Sequence, residues 1–470
     1  SVALTALGKP LVQMVERGGL AKRMLAMDLL VKIALFAPTH DALVASGLIE
    51  VICLQPKGII PSVLPKETPK GWKAGKKPTG LEGKAAGVLA CLARMTDETR
   101  RRVNDVNNKG VHQLVRMMKR SSEPAGKLNS IGLDAAASAT EALQYLALSS
   151  GCRVSMMSSG ALETFVDILN EFEEVEGETE DQVYKDLEKY ASNNMRRLTA
   201  QEFETWFANS GRGDVRKAKA AFRTLDIRGE GTAIFNEIVK FVLDPPPGAK
   251  FDLFATLSVR NAAVEDTYRE KLISLGAVEA IVRKQLLSKR KEKRLAALLA
   301  LLNLSFSRNA HTRLSSVDAE ELLVSMLGNT EGGCAAAMVL RQMARTKGVQ
   351  QKLVEAGVMK PLMDMMQNEV DEVQGADPVG NIISCSCSSA AIAAFQNLIA
   401  ENEVACKQAV DLGAVNVLQT ILDKWIERAQ KNNILDLTWM STDESSESED
   451  DNQEVNVLNI EDDLPDAQQV

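Results

Sequence analysis

The stretch DTYREKLISLGAVEAIVRKQLLSKRKEKRLAALLALLNLSFSRNAHTRLSSVDAEELLVSML, Asp266 to Leu327, decides the fold. A short amphipathic segment runs to Gly276, and an apolar segment follows (AVEAIVRKQLL). Next comes a longer one rich in small residues (EKRLAALLALLNLSFS), and a second short segment leads to Asp318 and another apolar run. The apolar residues recur at helical spacing, so each segment is expected to be an α-helix burying one stripe. The turn slot then returns at Gly357, and the steps Gly276 to Asp318 and Asp318 to Gly357 are 42 and 39 residues. That is the length of a two- or three-helix unit that stacks on copies of itself, because one unit alone leaves an apolar face uncovered.

Outward from this stretch the same slot is filled by Gly47 (VASGLIEVI), Gly110 (NNKGVHQLV), Gly160 (SSGALETFV) and Gly413 (DLGAVNVLQ). Composition agrees: aromatic residues are 4% of the 470, while Ala, Leu and Met abound. Seven cysteines, an odd number without paired spacing, point to reduced thiols and a cytoplasmic or also nuclear location. Cys385 and Cys387 are the closest pair, with no nearby His and no second pair, so ordinary thiols are expected there. No run reaches the ~18 apolar residues of a membrane span. Ser1 falls inside a repeat, which suggests a processed chain or a fragment.

The helix order and its residues resemble the armadillo repeat from about Leu4 to about Ala429, inserts excepted. The resemblance implies an all-α, right-handed α-solenoid, in which the Gly turn separates the first and second helices. It also implies that the third helix lines a concave groove for extended peptides, where an Asn amide can pair with both N–H and C=O of a bound backbone. Asn303 (LLNLS) and Asn397 (FQNLI) stand in that slot. Elsewhere it is read as Lys32, Cys91, Tyr145, Thr256 and Gln342, so there is no continuous amide ladder. The peptide-groove residues are therefore expected to be Asn303, Asn397, Gln342, Tyr145 and Lys32. Asn303 and Asn397 have a second reading, in which they satisfy only local backbone. None of Trp72, Trp206, Trp425 or Trp439 falls where an importin-α-like receptor carries its groove tryptophans, which argues against nuclear-import binding.

Four insertions interrupt the array, at Pro56–Gly80, Ser121–Ser130, Phe172–Pro247 and Val370–Ser384, each between the second and third helices of its repeat. Equivalent junctions of a stacked repeat share one edge, so partner-specific contacts are expected there. The first insert is rich in Pro and Lys, and is expected to be an extended loop carrying Lys73, Lys76 and Lys77. With Arg116, Lys119, Arg120, Lys127 and the run SKRKEKR (Lys289, Arg290, Lys291, Lys293, Arg294) it would form a basic edge suited to an acidic partner. A localisation signal and a solvated helix start are the competing readings of SKRKEKR. The net charge of −8 and the lack of interleaved aromatics argue against nucleic acid.

The large insert holds ASNNMRRLTAQEFETWF and TLDIRGEGTAIFNEIVKFV, which together resemble an EF-hand pair. In the second loop Asp226 is at position one, Gly231 at six and Glu237 at twelve, with Glu230 and Thr232 as further oxygen donors for calcium. Arg228 at position three and Ile234 at nine oppose a dication, and the first loop keeps only Glu202 as an acidic ligand. A structural module without a cofactor is expected, with calcium as the lesser reading. After Trp439 the chain changes: Ser441–Val470 has eleven acidic residues and no Lys or Arg, the composition of a disordered acidic tail. Ser445, Ser446 and Ser448 precede acidic residues, a pattern favoured by acidophilic kinases.

The organisation expected is N-terminal repeats at 1–171 with the basic loop 56–80, an inserted pair at 172–247, C-terminal repeats at 248–430, and a tail at 440–470. His40, His112 and His311 fall in different repeats without a nucleophile or carboxylate beside them, so no enzyme is expected. The function expected is a protein–protein interaction scaffold that binds an extended peptide in its groove and a second partner along the edge. The alternatives are a client chaperone of the UCS myosin-chaperone kind and a calcium-responsive adaptor.

Overall fold

The computed structural model describes residues 2–53, 81–105, 110–119, 130–171, 180–192, 196–210, 215–226, 229–243, 250–328, 332–372, 387–400 and 402–431. Lys73, Lys76, Lys77, Arg120, Lys127, Arg228, Cys385, Ser445, Ser446, Ser448 and the tail lie outside them. The described chain is all-α apart from two three-residue strands, and divides into two compact units, Ser1–Ala300 and Leu301–Val470.

Each unit repeats one three-helix motif. A short first helix ends in a left-handed residue, the second helix leaves at an angle, and the third is longer and rich in Ala and Leu. The left-handed turn is seen at Gly47, Gly160, Gly276, Gly357 and Gly413 (φ from 71° to 89°) and at Asp318 (φ 53°). Glycine suits the slot because a Cβ there crowds the following carbonyl, and Asp is among the side chains that tolerate it. Gly110 departs from the expectation, since its backbone is not left-handed. It starts the helix Gly110–Lys119, and a Cβ on it would sit 2.1 Å from the Val103 carbonyl oxygen. Glycine is needed there for close approach rather than for the turn.

In the first unit the third helices Leu20–Ala34, Leu81–Ala93, Ser130–Leu146 and Phe251–Ala262 pack side by side in series. In the second, Gly333–Met343 packs on Cys387–Ile399. Ala85, Ala86, Ala136, Ala137, Ala255, Ala336 and Ala391 are buried on these helices, and small side chains let the axes approach closely.

A second repeated feature ties each first helix to the third helix before it. The fourth residue of the first helix, or His40 at the start of the short helix His40–Ala45, donates to a carbonyl six or seven residues back, at the end of the third helix. His40 Nε2 donates to Ala34 O (2.6 Å), Arg100 Nε to Ala93 O (2.9 Å), and Arg153 Nη1 to Ala147 O (2.8 Å). Arg269 Nε to Ala263 O (3.0 Å), His311 Nε2 to Ser305 O (2.7 Å), Gln350 Nε2 to Ala344 O (2.7 Å) and Cys406 Sγ to Ile399 O (3.2 Å) continue the series. The last turn of a helix leaves carbonyls without intrahelical partners, and these donors satisfy one per repeat. Four residue types, His, Arg, Gln and Cys, fill the position, so no single sequence signature marks it.

The inserted module lies between the helices Ala161–Glu171 and Phe251–Ala262. It contains Glu180–Glu188, Arg197–Thr199, Ala200–Asn209, Val215–Leu225, Thr232–Ile234 and Phe235–Leu243, a helix–loop–strand–helix arrangement used twice. The two strands pair antiparallel, with Leu198 opposite Ala233. Val183, Leu187, Phe203, Trp206, Phe222, Phe235 and Ile238 form its own core, and Trp206 Nε1 donates to Asp186 Oδ2 (2.9 Å).

Candidate binding surfaces

The expected groove residues all sit near the C-terminal ends of third helices, Tyr145, Asn303 and Gln342 five residues and Asn397 six residues before the start of the next first helix. The carbonyl contacts above fix that register, and they correct one slot. Thr256 is fully buried, with its hydroxyl on Asp252 O, and the residue that takes the place of Tyr145 in the next repeat is Asn261. Sequence reading passed over Asn261 because VRNAAVED lacks the leucines that frame the other slots. The Gly turn and the length of the connection could have located it.

Asn261 and Asn397 play the same part. Asn261 Nδ2 donates to Gln144 O (2.8 Å), and Asn397 Nδ2 to Arg341 O (3.0 Å). Each acceptor is the residue just before the slot of the preceding repeat, Tyr145 and Gln342 respectively. These amide donors therefore link successive third helices, which favours the local reading for Asn397. Its Oδ1 is the atom left for an incoming peptide N–H. Gln342 is buried, and its Oε1 accepts from Arg345 Nη1 (3.2 Å), so it does not line a surface as expected. Asn303 is half-buried, and Lys32 is exposed on the first of the packed third helices.

Around Tyr145 the first unit carries a polar cluster from two third helices and the start of a third. Burial raises the Glu141 carboxyl above its ordinary range, while Lys250 and Arg94 pull it back. Burial also raises the Tyr145 hydroxyl, with Glu141 adding to the effect, and the Cys91 thiol behaves likewise. This face thus holds a carboxylate between two cations, open enough for the tyrosine ring to be half-exposed.

Of the expected basic edge, Lys73, Lys76, Lys77, Arg120 and Lys127 lie outside the described residues. Arg116, Lys289 and Lys291 are exposed and Arg290 half-exposed. Lys119 Nζ is turned onto Ser159 O (2.8 Å), and Arg294 Nη1 onto the carbonyls of Ser288 and Lys289 (2.8 and 2.9 Å). Lys293 is buried with its Nζ 2.7 Å from Asp252 Oδ2, an oxygen that also accepts from Gln285 Nε2 (3.1 Å). Gln285 ends the π-helical turn Ile281–Gln285 of the second helix. Lys293, Arg294 and the Ser288 and Lys289 carbonyls of SKRKEKR are therefore committed to internal contacts, and the run is a buried anchor as well as a charged surface.

In the module the Asp226 carboxylate folds its own loop, accepting from Glu230 N (2.8 Å) and Gly231 N (3.0 Å), with Gly229 and Gly231 left-handed. The Glu230 carboxylate pairs with Arg197 Nη1 (2.8 Å), and Glu237 is exposed. Glu202 closes the other loop. It accepts from the Ser192 side chain and N–H (3.0 Å) and completes a capping box with Thr199, and these hydrogen bonds hold its carboxyl pKa at about 2. Of the candidate calcium residues, Asp226 and Glu230 are thus engaged in hydrogen bonds and Glu237 is exposed. Among the described residues no three His, Cys, Asp or Glu side chains gather as a metal-ligating group.

No known family matches the chain, and no curated protein matches it. Among solved structures, a designed armadillo repeat protein is similar with 15% identity and a TM-score of 0.42, over 68% of this chain and 94% of that one. Another, in complex with the peptide (KR)4, has 15% identity and a TM-score of 0.40, over 78% of this chain and 98% of that one. The repeat architecture described above rests on this chain's own helices and turns. No helix among the described residues is long and apolar enough to cross a membrane.

Proposed function

We propose that the protein is a non-enzymatic interaction scaffold that binds an extended peptide segment along the exposed face of its third helices. The observation that carries this reading is the serial packing of third helices in the first unit, which sets Lys32, Cys91 and Tyr145 at the same level of successive helices. A segment laid across the helices meets one such residue per repeat, and the mix of charge, thiol and ring suits side-chain as well as backbone contacts. A second partner is assigned to the edge bearing the insertions, where Arg116, Lys289 and Lys291 are exposed. The protein is placed in the cytoplasm, with the nucleus as a further site.

The inserted module we read as an EF-hand-like pair kept for its fold. Its two short strands pair between the loops, and its loop carboxylates are occupied by backbone N–H groups and by Arg197. The C-terminal residues 440–470 are assigned as an acidic tail. Affinity capture of the full chain from native lysate, in parallel with calcium and with chelator, tests the reading. A stoichiometric complex in both conditions is expected. Suppression of client aggregation without a stoichiometric partner would favour the chaperone alternative, and partners found only with calcium would favour the calcium-responsive adaptor.

A further inference from the structure

Three arginines of the second unit stand together on its surface. Arg341 and Arg345 are exposed one helical turn apart, at the end of the helix Gly333–Met343 and just past it. Arg308 is exposed at the start of the helix Arg308–Ser316, and both Arg308 and Arg345 bear on the imidazole of His311. None of the three has a carboxylate partner among the described residues. Arg345 reaches only the Gln342 amide oxygen. The buried neighbour His311 adds no charge of its own while its Nε2–H is held by Ser305 O and its Nδ1 accepts from the Thr346 hydroxyl (2.8 Å). Three unpaired guanidiniums so placed attract a segment carrying several carboxylates.

The chain supplies such a segment. Asp443, Glu444, Glu447, Glu449, Asp450 and Asp451 lie within nine residues, with no Lys or Arg from 441 to 470. The last helix, Ala414–Lys431, belongs to the same unit. The residues from Lys431 to Asp443 span up to about 40 Å when extended. The neighbouring third helix, Cys387–Ile399, is about 20 Å long. We propose that residues Asp443–Asp451 of this chain dock on the Arg308–Arg341–Arg345 cluster and occupy part of the third-helix face. This inference rests on that face being a binding surface. A partner must then displace the tail, and phosphate on Ser445, Ser446 or Ser448, adding about −1.5 to −2 charges each, tightens the closure.

The test uses a fluorescein-labelled synthetic peptide of residues 441–454 and the full chain. Anisotropy is compared for the native chain and for one with Asp443→Asn, Glu444→Gln, Glu447→Gln, Glu449→Gln, Asp450→Asn and Asp451→Asn. A tethered segment competes at an effective concentration of about millimolar, so the neutralised chain is expected to bind the peptide at least about ten-fold more tightly. Adding Arg308→Glu, Arg341→Glu and Arg345→Glu is expected to abolish that binding, and the milder Arg341→Gln with Arg345→Gln to weaken it. High salt is expected to weaken it as well. Equal affinity for native and neutralised chains would overturn the tail as occupant while leaving a peptide-binding face. Loss of binding on reversal of Lys289 and Lys291 instead would place the tail on the basic edge. No binding to either chain would overturn the acidic-segment site, and the scaffold reading would stand or fall on partner capture.

Discussion

Lys293 Nζ lies 2.7 Å from Asp252 Oδ2, and each side chain is 2% exposed. Asp252 opens one third helix and Lys293 the next, so the pair fastens two repeats at the place where the inserted module re-enters the stack. Removing one partner leaves a buried charge without compensation. Lys293→Met is expected to cost about 3–5 kcal/mol in urea unfolding, and Lys293→Met with Asp252→Leu markedly less.

His311 gives the stack a pH dependence. Burial holds its imidazole below the usual 6.5, against the Ser305 carbonyl bond that raises it, with Arg345 and Arg308 lowering it further. Between the folded value and 6.5 the unfolded chain binds more protons, so stability rises with pH across that window and is lost as pH falls through it. Gln350 fills the same position one repeat later, its uncharged amide donating to Ala344 O (2.7 Å) and Asn397 O (2.9 Å). His311→Gln is expected to stay folded at pH 7 and to flatten the loss of thermal stability between pH 6.5 and acid; an unchanged slope would remove His311 from the account.

The left-handed turns divide by cause. Gly276→Ala and Gly357→Ala are expected to cost about 1–2 kcal/mol each, the usual penalty of a Cβ in that region. Asp318→Gly relieves the same strain and is expected to be neutral or slightly stabilising. Gly110→Ala is expected to exceed both, because its Cβ would meet backbone at 2.1 Å. Melting temperatures of the four variants order these effects.

The sequence made the repeat visible because its periods are local. Helical spacing, the Gly slot and the sites of the insertions are all written in short windows, and the described helices follow them. What stayed hidden depends on partners distant in the chain. Lys293 reads as one more lysine in SKRKEKR until Asp252, 41 residues earlier, is seen beside it. Asn261 escaped because VRNAAVED lacks the framing leucines, and its bond to the Gln144 carbonyl, 117 residues away, is written in no short window. Gln342 and Asn397 look alike as groove amides, yet burial separates them.

Asn261→Ala removes a buried donor and leaves Gln144 O unpaired, so about 1–3 kcal/mol of stability is expected to go with it. Asn397→Ala removes the equivalent donor to Arg341 O and is expected to cost stability too, whereas Asn303→Ala is expected to weaken peptide affinity by about 1–3 kcal/mol in a chain that remains folded. Unchanged affinity for any captured peptide would move its site to the insert-bearing edge.

The most direct test of the scaffold reading is a display selection of random extended peptides against the full chain. Isolated binders are then titrated against native protein and against Lys32→Glu, Tyr145→Ala variants. Binders that lose at least about ten-fold affinity, with Lys289→Glu and Lys291→Glu chains unaffected, are the expected result. Binders indifferent to Lys32 and Tyr145 would contradict a third-helix binding face.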